Sequence, residues 1–95
     1  MIEAVVLNPR DNIGVALADL KSGRKVKIHG RESWVKLAEP IPYQHKFSVT
    51  RIDSGEEIIK DGVIIGKAIQ NIEQGQHVHT HNMTGLRLKV NRSGE

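Results

Sequence analysis

Cysteine is absent from the 95-residue sequence, and only three residues are aromatic: Trp34, Tyr43 and Phe47. The absence of cysteine excludes disulfide bonds and thiolate metal sites, so stability must come from packing and backbone pairing. Proteins that bind single-stranded nucleic acid stack bases on aromatic side chains, and this chain supplies little such surface. We therefore do not expect a nucleic-acid partner. The net charge of +3 favours anionic ligands or an acidic partner surface.

The sequence also lacks the apolar run of about eighteen residues that a membrane-spanning helix requires. Its first residues, MIEAVVLNPRDN, have neither the basic start nor the long apolar stretch of a signal peptide. We expect a cytoplasmic protein that does not associate with membranes. The length fits one domain with a modest core, which we place at residues 1–90, followed by a flexible tail at residues 91–95.

No segment has the sustained apolar periodicity of a helix, whereas short runs rich in β-branched residues alternate with turn residues. The predicted strands lie at residues 2–7, 13–17, 24–29, 33–38, within 41–52, at 57–60, 63–65 and 85–90. Asp61-Gly62 predicts a tight hairpin turn, because this dipeptide between apolar runs favours one. The predicted fold class is all-β.

An internal repeat aligns residues 13–30 with residues 65–82. Its unit is an apolar anchor, two polar residues, glycine, two further residues and an apolar strand position. The copies contain Gly23, Gly55 and Gly75, at residues 20–26, 52–58 and 72–78. Because glycine adopts a positive φ at little cost, each copy predicts a one-turn bend. Three such bends predict a compact, strongly curved domain.

Three histidines alternate with other residues in GQHVHTHN, at His77, His79 and His81. In one strand their imidazoles would share a face, about 6.6 Å between neighbours and about 13 Å between the outer pair. A metal–nitrogen bond is only about 2.0–2.1 Å long. One ion could therefore be held by an adjacent pair, His77/His79 or His79/His81, but not by all three. A solvated strand face without a ligand is the alternative.

Other polar groups have a structural and a functional interpretation. His45 and Lys46 are either site residues or solvated residues beside a strand. Asp11 and Asn12 are typical turn formers. The basic residues Lys21, Arg24, Lys25, Lys27 and Arg31 are typical of a solvated face. His29 matches His81 by repeat position but has no neighbouring histidine.

Three stretches, IPYQHKFSV, IIKDGVIIGKAIQNIEQGQHVHTHN and DNIGVALADLKSG, resemble the SAF domain of the altronate/galactarate dehydratase (UxaA) family. The family's Ile-Pro-x-x-His-Lys stretch falls on residues 41–46, its Lys-x-Gly-x-x-Ile-Gly-x-Ala stretch on residues 60–68, and its Val-His-x-His-Asn ending on residues 78–82. The chain departs from the pattern at two positions. Gln44 stands where glycine is frequent, and Asp61 stands where an aromatic residue is frequent.

The resemblance implies a β-clip fold and a role in sugar-acid or hydroxy-acid chemistry. In dehydratases of altronate and galactarate this domain is the N-terminal part of a longer chain, whereas in sulfolactate sulfo-lyase it is a separate small subunit, which the present chain resembles. It further implies a large catalytic dehydratase subunit as partner and a divalent metal, iron in the family, bound mainly by that partner. The candidate catalytic residues are His45, Lys46, His79, His81 and Asn82.

Eliminating water or sulfite β to a carboxylate requires a base for the α-proton, stabilisation of the enediolate, and an acid or metal for the leaving group. The chain has histidines and a lysine for such work, but no carboxylate cluster for a complete metal site. We therefore expect a small subunit or accessory domain of a dehydratase or carbon–sulfur lyase, inactive alone. The alternative is a non-catalytic module of the same fold that binds a carbohydrate or an anion.

Overall fold

The computed structural model describes residues 2–85 of the chain. These residues form nine strands: β1 (Ala4–Val5), β2 (Ile13–Ala16), β3 (Lys25–His29), β4 (Ser33–Lys36), β5 (Lys46–Ser48), β6 (Glu57–Lys60), β7 (Val63–Ala68), β8 (His77–Val78) and β9 (Met83–Gly85). No helix occurs between residues 2 and 85, which confirms the all-β prediction. The same range therefore holds no helix that is long and apolar enough to cross a membrane.

Six strands form one sheet in the order β4-β3-β1-β2-β5-β8, and three form a second in the order β6-β7-β9. All pairs are antiparallel except β1 with β3. The first sheet curls, because Ala38, just after β4, donates its N–H over 2.9 Å to the carbonyl of Gly75, just before β8. This contact joins the two ends of the sheet. Curved sheets connected by one-turn bends are the β-clip architecture that the resemblance implied.

Apolar side chains from the sheets form two clusters that share β2, since Ala16 belongs to the first and Ile13 to the second. Strand β3 shows how the pattern produces burial: Val26 and Ile28 are buried, while Lys25, Lys27 and His29 are exposed. Burying one such aliphatic side chain contributes about 1.5–3 kcal/mol. The short strands are therefore held by the core beneath them rather than by their length.

The three predicted bends are confirmed. Gly23, Gly55 and Gly75 have φ values of 82°, 91° and 89°. In each bend the residue after the glycine donates its N–H to the carbonyl three residues earlier, over distances of 3.2, 2.9 and 3.1 Å respectively. A positive φ at the third position of such a four-residue turn is the geometry of a type II turn.

A fourth turn of the same kind was not predicted, because it contains no glycine. Gln44 occupies the third position with a φ of 69°, and His45 donates its N–H to Pro42 over 3.0 Å. Ile41 and Phe47 are its buried anchor and strand residue, at the spacing of the other copies. His45 and Lys46, at the start of β5, therefore follow a bend of the same kind as those that precede β3, β6 and β8.

The four turns are paired. The anchors Leu20 and Ile41 exchange two backbone hydrogen bonds of 2.9 Å, and the anchors Ile52 and Ile72 exchange two of 2.8 and 2.7 Å. Each pair brings two turns side by side with opposite chain directions. The repeat in the sequence is therefore a repeat of hydrogen-bonded turn pairs.

The predicted hairpin turn is confirmed at Asp61 and Gly62, with φ values of 55° and 76°. Asp11 accepts the backbone N–H groups of both residues on its two carboxylate oxygens, over 2.9 and 2.8 Å. Asp11 is only 4 % exposed, and Asn12 bonds the backbone of Glu57 and Ile59 through its amide. These two residues were predicted as turn formers only, but they also tie the first sheet to the second.

Some strand boundaries were predicted too long. Residues 2–7 contain only the two residues of β1, because Val6 already pairs with the end of β3 outside a regular ladder. The strand predicted through His81 ends at Val78. Of the strand predicted at residues 85–90, only Gly85 is described, and the tail predicted at residues 91–95 also lies outside the described residues.

Candidate functional site

Four imidazoles lie together beside the start of β5 and around the short strand β8. His45 precedes β5, His77 begins β8, and the antiparallel pairing of these strands sets Phe47 opposite His77. The ring centroid of His77 lies 5.0 Å from that of His45, 5.4 Å from that of His79 and 5.9 Å from that of His81. His45 and His79 also stack, at 5.5 Å. We call these four residues the histidine cluster.

The cluster does not arise from one continuous strand, so that prediction was wrong. After Val78 the chain turns, and the N–H groups of Asn82 and Met83 both donate to the carbonyl of His79 over 3.0 Å. The rings of His77 and His81, expected about 13 Å apart on a strand, therefore have centroids 5.9 Å apart. The three imidazoles are closer together than a strand face allows.

The side chain of Asn82 holds this turn. Its carbonyl oxygen accepts the N–H of His79 over 2.9 Å, and its amide nitrogen donates to the carbonyl of His77 over 2.8 Å. Asn82 is only 2 % exposed. Because both ends of its amide are occupied by backbone, its observed role is to position two histidines. Its predicted catalytic role stays a prediction.

The closest pair of ring nitrogens is His45 Nδ1 and His77 Nε2, which are 2.8 Å apart. This distance suits a hydrogen bond in which one neutral imidazole donates and the other accepts. The pair spans two strands, whereas the sequence pointed to pairs within one segment. The cross-strand pair depends on the register of β5 with β8, which the spacing of the histidines does not encode.

Burial and the neighbouring imidazoles, His45 foremost, lower the pKa of His77 below its ordinary value. The carboxylate of Glu39 opposes this effect, and it accepts the backbone N–H of His77 over 3.0 Å. A lowered pKa keeps His77 neutral at pH 7, so its ring can accept a proton or a ligand. Glu39 was not among the predicted site residues.

Lys46 lies beside this cluster, half-buried at the start of β5 and opposite Val78. It lines a shallow cavity of about 160 Å³ together with Gln44, His45, Val78 and His79. A cationic amine and two imidazoles at one opening suit a carboxylate ligand. Larger cavities lie elsewhere, around His29 on β3, which is not stacked on the histidine cluster.

The donor set for a metal ion is incomplete within this chain. Among residues 2–85, no group of three or more histidine, cysteine or acidic side chains is arranged to hold one ion. His45 and His77 fit as two ligands, since two nitrogens at about 2.0–2.1 Å from one ion lie close to each other. Any further ligands would have to come from another chain or from a substrate.

Comparison with known proteins shows the family to which this chain belongs. The model of the altronate/galactarate dehydratase SAF domain matches residues 2–86. The chain belongs to this family. It is 38 % identical over 81 residues to altronate dehydratase of Escherichia coli and 33 % identical over 78 residues to altronate dehydratase of Bacillus subtilis. These matches cover 85 % and 82 % of the chain, but only 16 % and 15 % of the two dehydratases.

A relative of similar size also matches. The chain is 32 % identical over 87 residues to (2R)-sulfolactate sulfo-lyase subunit alpha of Chromohalobacter salexigens. This match covers 86 % of the chain and 93 % of that subunit. The SAF domain of this family therefore occurs both as a small part of long dehydratases and as nearly the whole of a short subunit.

Proposed function

We propose that this chain is the small subunit or accessory domain of a sugar-acid or hydroxy-acid lyase, and that a larger catalytic chain completes its site. The coverage of 93 % of a sulfo-lyase alpha subunit and of 16 % of an altronate dehydratase supports this assignment. The proposed reaction eliminates water or sulfite from a carbon β to a carboxylate. The proposed substrate is a hydroxy acid or a sugar acid.

The observation that carries the proposal is the 2.8 Å contact between His45 Nδ1 and His77 Nε2 inside a cluster of four imidazoles. Such a pair can pass a proton from one ring to the other while both stay in place. In an elimination, one proton leaves the α-carbon and another reaches the leaving group. The histidine cluster would handle one of these transfers, and Lys46 would attract the substrate carboxylate.

A divalent metal held by His45 and His77 is the alternative to this proton transfer, because the ion would take the two nitrogens that share the hydrogen bond. When bound, such an ion would act as a Lewis acid toward an oxygen of the substrate. Asn82 and Glu39 would keep His77 and His79 oriented through the contacts to their backbone. Because the described residues contribute two ligands at most at this point, the larger chain would supply the others and metal binding by this chain alone would be weak.

The test is reconstitution with the larger chain that co-purifies with this one from its native cell. The isolated chain should be folded and catalytically silent toward altronate, galactarate and sulfolactate, while the complex turns over one of them. His79→Ala and His81→Ala alter exposed side chains, so the free energy of unfolding should change by no more than about 0.5 kcal/mol. The same variants should lower turnover of the complex at least about a hundredfold.

Gln70→Ala is the matched control, because this exposed residue lies outside the histidine cluster. It should leave both stability and turnover unchanged. Full turnover in a complex carrying both histidine changes would disprove the catalytic role of the histidine cluster. Turnover by the isolated chain would disprove the need for a larger partner. Binding of a sugar acid without any partner or turnover would instead identify a carbohydrate- or anion-binding module.

A further inference from the structure

The outward face of the β3–β4 hairpin carries lysines around the single tryptophan of the chain. Lys25 and Lys27 point outward from β3, and Trp34 and Lys36 point outward from β4. The strand register sets Lys25 opposite Lys36 and Lys27 opposite Trp34. We call these four residues the lysine–tryptophan face.

The charges of this face are not balanced within the described part of the chain. Ion pairs join Arg24 to Glu3, Arg51 to Asp53 and Glu73, and Lys60 to Asp61. None among residues 2–85 involves the three lysines of the face. Like charges directly opposite each other destabilise a sheet. The arrangement of Lys25 and Lys36 is thus unfavourable in the free chain and is relieved when carboxylates lie between them.

Protection of the sheet edge does not account for this face. Lysines on an edge strand prevent unwanted pairing, and this explains Lys36 because β4 is at the end of the sheet. Strand β3 is not an edge, since it pairs with both β4 and β1. Edge protection therefore does not apply to its two outward lysines, for which a solvated face is the alternative to a docking role.

Trp34 supplies an anchor for a partner. It is 58 % exposed although it is the largest apolar side chain in the sequence. Beside it lies a cavity of about 380 Å³ lined by Ile2, Glu3, Lys27, His29 and Trp34. Tryptophan is among the residues that contribute most to protein–protein binding. The cavity has room for an apolar side chain of a partner.

We propose that the lysine–tryptophan face docks onto an acidic surface of the larger catalytic chain. This inference rests on the proposed function, which requires such a chain. The lysine–tryptophan face and the histidine cluster lie on either side of the contact between Ala38 and Gly75, which closes the first sheet. From Lys36 the chain continues to Ala38, which bonds Gly75, and to Glu39, which bonds His77. Lys36 is thus only three residues from Glu39, which brings this end of the face within reach of a partner that also contacts the histidine cluster.

The repeat provides a matched control for the charges. Lys25 and Glu57 occupy the same position of two equivalent turns, two residues after Gly23 and Gly55 respectively. Both side chains are exposed. Reversing the charge at either position changes the net charge by the same magnitude in the same fold. Only Lys25 lies on the proposed docking face.

The experiment measures the dissociation constant of the complex with the larger chain that co-purifies with this one, at about 50 and about 300 mM salt. Lys25→Glu, and separately Trp34→Ala, should each raise Kd at least tenfold. Higher salt should weaken the native complex and have less effect on the complex that carries Lys25→Glu. Glu57→Lys should leave Kd within about twofold of the native value. Thermal melts of each variant check that it is folded.

The outcomes separate this inference from the proposed function. A complex whose Kd is unchanged by the lysine and tryptophan changes would overturn the docking face and leave the shared site intact. Weakened docking together with full turnover in the histidine variants would support the face and disprove the catalytic role of the histidine cluster. Absence of any complex would overturn both. Self-association of the chain that these same changes abolish would identify a second copy as the occupant and overturn the proposal.

Discussion

The turns at Gly55 and Gly75 have nearly the same backbone but different surroundings. Their φ values are 91° and 89°, and each is closed by the same hydrogen bond. A Cβ atom on Gly55 would meet no atom within 4 Å, whereas a Cβ on Gly75 would overlap the carbonyl oxygen of Lys36 and lie 3.1 Å from the nitrogen of Ala38. One turn lies open at the surface, and the other closes the first sheet.

This difference shows that the repeated turn has an additional role at Gly75. At Gly55 only the backbone conformation calls for glycine. At Gly75 the lack of a side chain also allows the backbone of β4 to approach, which fixes the start of β8 and hence His77. The site therefore depends on a glycine that contributes no functional group to it.

The largest expected effect comes from adding one methyl group at each of these positions. Gly75→Ala must adopt a left-handed conformation and also displace backbone atoms, so we expect a loss of about 2–5 kcal/mol in the free energy of unfolding. Gly55→Ala has only the conformational cost of about 1–2 kcal/mol. Denaturant unfolding of both variants measures the difference. Equal losses in the two variants would mean that the close approach at Gly75 does not contribute to the free energy of unfolding.

A smaller loss is expected at Asn82. Asn82→Ala leaves the N–H of His79 and the carbonyl of His77 without their partner, so unfolding should become easier by about 2–3 kcal/mol. Asn71→Ala removes a comparable hydrogen bond to the N–H of Ser54 in an exposed turn, where water replaces it. That control should lose less than about 1 kcal/mol. A loss at Asn71 as large as that at Asn82 would contradict the positioning role.

The turn at Gln44 gives an effect of opposite sign. Gln44→Gly relieves a left-handed conformation that costs about 1–2 kcal/mol but adds about 0.5–1 kcal/mol of flexibility to the unfolded chain. We expect a net gain of up to about 1.5 kcal/mol. The reverse change, Gly23→Gln, enters an open turn and should cost a similar amount, up to about 1.5 kcal/mol. A destabilised Gln44→Gly variant would show that the glutamine side chain itself supports the turn.

The smallest effect concerns pH. The pKa of His77 is lowered in the folded chain, so below about pH 6.5 the unfolded chain takes up a proton that the folded chain resists. His77 therefore does not reduce the free energy of unfolding above that pH, and the free energy of unfolding decreases as the pH falls below it. Melting temperatures between pH 8 and pH 5 should fall more steeply for the native chain than for His77→Gln. If the melting temperature of His77→Gln falls as steeply as that of the native chain, a group other than His77 causes the pH dependence.

Turns were predictable where glycine marked them, and the fourth was not. Gly23, Gly55 and Gly75 were recognised because few other residues adopt a positive φ readily. Gln44 adopts the same conformation without that mark. The usable evidence was the spacing of Ile41 and Phe47, which equals that of the other anchors. The spacing of Ile41 and Phe47 alone would have predicted a bend that ends at His45.

The histidine cluster was only partly predictable for a related reason. Alternation of His77, His79 and His81 favours a strand, but beyond the buried Val78 the segment has no apolar residue that would fix its course. The amide of Asn82 bonds the backbone at His77 and His79 and bends the segment instead. His45 joins them through pairing between β5 and β8, a contact between distant parts of the chain.

The pairing of the four turns has a consequence for how the chain folds. Leu20 must meet Ile41, and Ile52 must meet Ile72, so the two closures span 21 and 20 residues. Closure entropy grows only with the logarithm of loop length, so neither closure is favoured by its length. Each half can form its own turn pair first, and the contact between Ala38 and Gly75 joins residues of the two halves. Folding kinetics should therefore be sensitive to that late contact mainly in the unfolding rate.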